Sequence, residues 1–360
     1  MAKSTAVAAF LALVSGLCAF PQSTTTSHPQ TVFVSKVELV QVPVIVFDNK
    51  GAVATDLSRN DFLVLEDGIE QRLMYCEKER QPVSFVILAD QSSSMVKKIP
   101  FVLEAALAVL DPDAAPEKYP DEFSVFGIET RVKRLVPFTR DQQDLAGRLP
   151  ALLAPTNGST ALFDGIYLGV AAAQREATNR RRAIIIISDG GDNHSRHNLQ
   201  QTKKLLEEAD IPVFAVMAGP AFELPAIFSS APKDPTKDPT PPGKVPIPHL
   251  PGSLLPGSDE DYIGPAERRG PHNLKALTEA SGGGVFTARN LQDLSRIVRT
   301  ISLAVRYRYM LSYEPSHAPT SAPVAATESN WHKIHLELRP KEKFTGYAMP
   351  YYKRGYNRVN

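Results

Sequence analysis

The sequence predicts an α/β fold: a doubly wound, mainly parallel sheet joined to a smaller β module built from N- and C-terminal segments. Three observations carry this. Ser84–Ala89 (SFVILA), Ala183–Ile187 (AIIII) and Ile211–Met217 (IPVFAVM) are unbroken apolar runs, the pattern of strands buried on both faces of a parallel sheet. Segments with apolar residues at helical spacing alternate with these runs, as a doubly wound sheet requires. Strand-like stretches at both ends of the chain are each too short to bury a core alone, so they are expected to pair with one another.

Composition bounds the rest. At about 150 residues per domain, 360 residues suggest two or three domains. Hydrophobic residues at 43% and charged residues at 22% exclude wholesale disorder. Forty basic against 39 acidic residues leave a formal charge of +1. So neutral a chain has no global electrostatic footprint for nucleic acid or an anionic membrane. The two cysteines, Cys18 and Cys76, have no zinc or redox spacing. Disulfide scaffolds and zinc folds are excluded.

Residues 1–19 read as a secretory signal peptide: Lys3, an apolar stretch from Ala6 to Val14, then small residues with cleavage after Ala19. The stretch is short for a membrane span, so no integral span is expected after cleavage; an uncleaved anchor is the alternative. Export to the periplasm, cell envelope or medium follows. Residues 20–30 are Ser/Thr-rich and read as a disordered lead-in.

Residues 31–81 form the N-terminal β segment. It holds the valine-rich Val32–Phe47, a turn at Asn49-Lys50-Gly51, the strand Phe62–Leu65 and a turn at Asp67-Gly68. Residues 82–305 form the α/β domain. After the first buried strand, Met95, Ile99, Val102, Leu103, Ala106 and Leu110 predict a helix with Pro100 in its first turn. Phe123–Ile128 and Val132–Phe138 read as a hairpin, and Leu162, Ile166, Gly169, Val170 and Ala173 as a second helix. Lys203–Ala209 is a third. Residues 219–271 carry 13 of the 30 prolines and read as an extended surface insertion. Leu274–Ala280, the strand Val285-Phe286-Thr287 and a helix capped by Asn290 complete the domain. Residues 306–360 supply Tyr307–Tyr313 and Trp331–Leu338 as strands to pair with 31–81, followed by an aromatic, basic tail.

Chemistry concentrates at three loops. Asp90-Gln91-Ser92-Ser93-Ser94 and Ser188-Asp189-Gly190-Gly191-Asp192 each follow a buried strand, and Gly158-Ser159-Thr160-Ala161-Leu162 opens a helix. In a doubly wound sheet such loops face one crevice beyond the strands' carboxyl ends. Two carboxylates and three hydroxyls make an oxygen-only donor set for a hard divalent cation. Neutral hydroxyls leave the ion underneutralised, with affinity for an outside carboxylate. The alternative is that Asp90 and Asp189 cap helices.

Here the sequence resembles the von Willebrand factor type A domain and its metal-ion-dependent adhesion site, over about 83–305 apart from the insertion. The resemblance implies a D-x-S-x-S site completed by a distant threonine and aspartate, matched by Asp90, Ser92, Ser94, Thr160 and Asp189. It implies direct contacts from the serines, with the aspartates often acting through water; Ser93 stands where glycine is common. The flanks, NDFLVLEDGIEQ (Asn60–Gln71) and VRYRYMLSYEP with WHKIHLELR, resemble a VWFA-related family described from acidobacterial genomes. That family largely lacks an assigned activity.

Other chemistries find little support. Asp90-Gln91-Ser92 lacks the second aspartate of a D-x-D nucleophile, and no G-x-S-x-G elbow or P-loop occurs. With no nucleophile and base arranged, no enzyme is expected. His194 and His197 read as solvated, and His332 and His335 lie on opposite faces of a strand, unable to share a ligand. Arg180-Arg181-Arg182 reads as a solvated strand entrance, with a local anion site as the alternative. Tyr351, Tyr352 and Tyr356, near Lys353, Arg354 and Arg358, read as a β-module edge or frayed tail, with contact to cell-wall polymers as the alternative. The expected function is an exported, divalent-cation-dependent protein-binding module. It would carry Mg²⁺ (or Mn²⁺ or Ca²⁺) and bind a protein partner that presents an Asp or Glu carboxylate. The alternative is a scaffolding envelope protein with a vestigial metal site. The sequence assigns no oligomeric state.

Overall fold

A computed structural model describes residues 39–48, 52–110, 120–219, 222, 265–316, 331–339 and 349–357. The expected signal peptide, the lead-in, the Asn49–Gly51 turn and most of the proline-rich insertion lie outside the described residues.

The chain opens with β1 (Val40–Phe47), whose Val40, Val42, Val44 and Val46 are buried in the β module's core. A hairpin follows, β2 (Phe62–Glu66) and β3 (Ile69–Gln71). Its turn residues Asp67 and Gly68 have φ of 50° and 86°, the positive values that a two-residue I′ turn requires and that Asp-Gly tolerates. Next comes β4 (Leu73–Arg80), then β5 (Val83–Asp90), every residue of which is buried. The expected helix divides into a 3-10 turn at Ser93–Lys98 and α1 (Ile99–Val109), with Pro100 in the first turn of α1.

β6 (Glu122–Ile128) and β7 (Lys133–Thr139) form the expected hairpin. α2 (Gln142–Leu152), capped by Asp141, comes next, then α3 (Leu162–Arg175). β8 (Arg181–Ile187), α4 (Leu199–Ala209) and β9 (Val213–Ala218) follow. α5 (Pro265–Ser281) begins inside the stretch read as insertion, so residues 265–271 belong to the domain. β10 (Val285–Ala288) precedes α6 (Leu291–Arg306), where Asn290 caps by accepting the Asp293 N–H at 2.8 Å. β11 (Tyr307–Tyr313) continues directly from α6, and β12 (Trp331–Leu338), β13 (Met349–Tyr352) and β14 (Gly355–Asn357) close the chain.

The main sheet has the order β10-β9-β8-β5-β6-β7 and is parallel except for β7. Alternation along β5 feeds two cores. Val83, Phe85, Ile87 and Ala89 meet α1, α2 and α6 on one face; Val86 and Leu88 meet α3, α4 and α5 on the other. Among the described residues no helix is long and apolar enough to cross a membrane.

The terminal segments pair as their lengths demanded. One small sheet runs β13-β1-β11-β4 and the other β14-β12-β2-β3, with a shared core that includes Val44, Phe62, Tyr309, Leu311, Tyr313 and Leu336. Pro43 is tolerated in β1 because it pairs only with Met310 of β11, one residue before β13 pairing starts at Val44. Ile45 and Phe47, on the other face of β1, join the core of the α/β domain.

Polar groups fasten the joint. Arg306, the last residue of α6, forms an ion pair with Asp121 in which both side chains are 0% exposed. Asp121 Oδ2 accepts from Arg306 Nε at 2.7 Å and Oδ1 from the Val83 N–H at 2.7 Å. Arg181 corrects the reading of a solvated arginine run. It is buried, and its Nη1 donates to the Arg306 carbonyl at 2.6 Å, an acceptor shared with the Gln81 N–H at 3.2 Å, while its Nη2 pairs with Glu79 at 3.0 Å. Burial, with Arg308 nearby, pushes its pKa down to about 10.

Replacing Asp121 with alanine removes a fully buried carboxylate that serves both the Arg306 guanidinium and the Val83 N–H. Urea unfolding should show a loss of about 3–5 kcal/mol; a loss below about 1 kcal/mol would contradict this account of the joint.

Candidate functional site

The site begins where β5 ends. Asp90 has no solvent exposure, so both carboxylate oxygens must be served from within. Oδ1 accepts the Ser92 N–H at 3.0 Å, which turns the chain sharply out of the sheet, and Oδ2 accepts Ser188 Oγ at 2.5 Å. Burial pushes the Asp90 pKa up to about 6; the hydrogen bonds from Ser188 and Ser92 oppose that rise, and the charge of Asp189 adds to it.

The turn places Ser92 and Ser94 side by side, with Oγ atoms 3.2 Å apart. Ser92 is buried, Ser94 half-buried and Ser93 exposed. Backbone bonds lace the other two loops to this one. Ser93 N–H donates to the Gly158 carbonyl at 3.0 Å, and the Thr160 carbonyl accepts from the N–H groups of Asn193 and His194 at 3.1 and 3.0 Å. The Thr160 N–H is held by Asn193 Oδ1 at 2.9 Å. Asp189, its side chain 16% exposed, accepts the Gly191 N–H on Oδ1 at 3.2 Å and has Lys98 Nζ 3.9 Å from Oδ2.

The structure thus brings Asp90, Ser92 and Ser94 into a contiguous chain of contacts and sets Asp189 within electrostatic reach of Asp90. It holds Thr160 in a buried position on the loop laced to both. Neither aspartate caps a helix. The N-cap of α1 is Lys98 and that of α3 is Ala161, and Asp192, from the loop after β8, accepts the Phe163 N–H of the first turn of α3 at 3.0 Å. Oxygen donors around a fully buried carboxylate with a second carboxylate beside it suit a hard divalent cation. The ion would offset the desolvation that raises the Asp90 pKa.

Residues 85–191 match the sequence profile of the von Willebrand factor type A domain. The fold is of that type. BatB from Bacteroides thetaiotaomicron is similar at 17% identity over 62% of this chain and 99% of that chain, with a TM-score of 0.42. Proximal thread matrix protein 1 from the mussel byssus, with a zinc-occupied MIDAS motif, is similar at 15% identity over 65% of this chain and 48% of that one, TM-score 0.39. The vWF domain of the pilus tip protein Mfa5 from Porphyromonas gingivalis is 25% identical over 31% of this chain and 39% of that one, TM-score 0.27. No curated protein sequence matches the chain.

Within this type A fold, several residues take contacts that their sequence pattern did not give. Lys98 sits four positions beyond Ser94, at the end of the 3-10 turn, with its ammonium 3.9 Å from Asp189. Gly190 has φ of 83°, and a Cβ there would lie 2.5 Å from the Gly270 carbonyl oxygen. The start of α5 therefore presses directly on the Asp189 loop, a contact hidden inside the proline-rich stretch. His197 corrects the expectation of a solvated side chain. It is half-buried, stacked on Tyr167 at 3.5 Å, with Nδ1 2.6 Å from Asp164 Oδ1. Burial raises the Asp164 pKa, but His197 and the backbone N–H groups of Arg196 and His197 outweigh it and hold the carboxyl below its usual range.

The raised Asp90 pKa has a pH signature in metal-free protein. An unfolded aspartate releases its proton near 3.8, the folded one only near 6. Between those values the folded state binds more protons, so stability falls as pH rises, by up to about 3 kcal/mol in full. Urea midpoints in EDTA from pH 4 to pH 7 should show wild type losing stability relative to Asp90→Asn across that window. Parallel curves would contradict the assignment.

Proposed function

We propose that the chain is an exported protein-binding module whose type A domain engages its partner through a divalent cation. The observation that carries this reading is Asp90, a carboxylate without solvent exposure whose ionisation is opposed by burial and by Asp189. Ser92, Ser94 and Thr160 would hold the ion through their hydroxyls, and Asp90 and Asp189 through water. The expected ion is Mg²⁺, with Mn²⁺ or Ca²⁺ as close chemical substitutes, because every donor is oxygen. The ion supplies an underneutralised positive charge; the chain supplies a rigid oxygen cradle and keeps Asp90 dry. An Asp or Glu carboxylate on a protein partner is the natural complement.

The surrounding groups support binding rather than catalysis. Ser195 Oγ donates to Asp192 Oδ2 at 2.6 Å and accepts the Asp164 N–H at 3.1 Å, while His197 is occupied by Asp164. The narrower relationship to the acidobacterial VWFA-related family rests on the flanking segments, which build the β module. A second reading, a scaffolding envelope protein with an unused site, draws on Lys98. Its ammonium beside Asp189 supplies one positive charge to the crevice without any ion.

Thermal melts of wild type and Asp189→Ala, each in Mg²⁺ and in EDTA, separate the two. At metal about tenfold above Kd, linkage adds on the order of 1.4 kcal/mol, a rise of roughly 2–4 °C. Only wild type should show it, and only wild type should then retain an Asp/Glu-bearing peptide in Mg²⁺ and release it on chelation. An equal response from both proteins would favour the scaffolding reading.

A further inference from the structure

The β module holds a second convergence of metal-ligating groups, remote in sequence from the crevice loops. Glu66 ends β2, Asp67 opens the turn into β3, and His332 lies near the start of β12. Their ligand atoms all lie within 4.8 Å of one another. His332 Nδ1 is 2.8 Å from Asp67 Oδ2 and 3.4 Å from Glu66 Oε1.

Hydrogen bonds aim these atoms at one another. Glu66 Oε2 accepts Tyr313 Oη at 2.6 Å, while Tyr356 Oη reaches Oε1 at a longer 3.2 Å. Asp67 Oδ1 accepts the Lys333 N–H at 2.9 Å. Each carboxylate therefore has its far oxygen fixed by a neutral donor and its near oxygen turned toward the imidazole. Such outer partners orient ligands in metal sites. The backbone holds them too: the Asp67 N–H donates to the Lys333 carbonyl at 2.9 Å, and the left-handed φ of Asp67 is set by the hairpin turn.

The donor set points the same way. The Glu66 side chain is 8% exposed, and a neutral imidazole has only one ring N–H to share. Two carboxylates share that single N–H, with the Lys333 charge also acting on Asp67. One nitrogen and two carboxylate oxygens suit a borderline divalent ion such as Zn²⁺, whereas Mg²⁺ prefers an all-oxygen shell.

We propose that Glu66, Asp67 and His332 form a Zn²⁺-class metal site that clips the β2–β3 hairpin to β12. The clip joins residues about 265 positions apart in sequence, in the small sheet β14-β12-β2-β3. Metal binding there adds to the stability of the β module, as it does wherever a folded site binds an ion that the unfolded chain does not. The site is independent of the crevice and of the function proposed for it.

The test uses the full chain, untagged and metal-stripped, carrying Asp189→Ala so that the crevice does not contribute. Titration with ZnCl₂ followed by calorimetry should show one ion per chain and a rise in Tm. Both should weaken at least about tenfold in His332→Gln and in Asp67→Asn, and both should be unchanged in His335→Gln, whose ring pairs with Glu337 instead. Asp67→Asn keeps a residue suited to the turn, so it carries the comparison even if His332→Gln folds poorly. Absence of Zn²⁺ binding, or binding that survives both ligand substitutions, would overturn the proposal.

Discussion

Strand β5 is the constraint from which the rest of the structure follows. Eight consecutive residues without an exposed side chain need helices on both faces and strands on both edges, and the chain supplies β6 and β8 at the edges. Parallel neighbours bring their carboxyl ends to one side, so the loops after β5 and β8 meet there, joined by the loop that opens α3. The same burial that makes β5 the centre of the core makes Asp90 a costly place for a charge. Core and site are two consequences of one strand. A carboxylate kept dry at the end of a buried strand is stable only with donors around it or a cation near it.

The β module is anchored through the end of α6. Arg306 places a guanidinium against Asp121, beneath the entrance to β5, and stacks over the Phe85 ring at 5.1 Å. Because β11 begins at the next residue, the direction in which the chain leaves the α/β domain is set by that buried pair. β11 then lies between β1 and β4, so the N-terminal strands are organised by an element more than 200 residues away. On the far side, Phe286 of β10 is met edge-on by Phe47 of β1 at 5.6 Å and stacked by Tyr351 of β13 at 5.9 Å, joining the module to the domain through apolar contact as well.

The elements legible in the sequence are those whose signal is local. SFVILA and AIIII declare buried strands through composition, Asp67-Gly68 declares its turn through φ, and Asn290 declares a helix start through its cap. The site loops were legible because five polar residues follow or precede such elements. What stayed hidden depends on distant partners. α2 buries only Leu145 and Leu149 and contains Gly147 and Pro150, poor helix formers that mask a short apolar stripe. α5 starts within a proline-rich stretch because proline suits a first helical turn. Arg181 looked like one of three surface arginines; Glu79 and the Arg306 carbonyl at the end of α6, about 100 and 125 positions away, make it a buried one. Lys98 and Asp192 acquire their roles from loops that the fold, not the local pattern, brings together.

A crystal soaked in Mn²⁺ and measured for anomalous scattering tests the central claim most directly, since it locates the ion without relying on stability or on an unidentified partner. The account predicts a peak bordered by Ser92, Ser94 and Thr160, with the carboxylates of Asp90 and Asp189 around it and Lys98 displaced from Asp189. A crevice without anomalous density, with the Lys98 ammonium still beside Asp189, would contradict it.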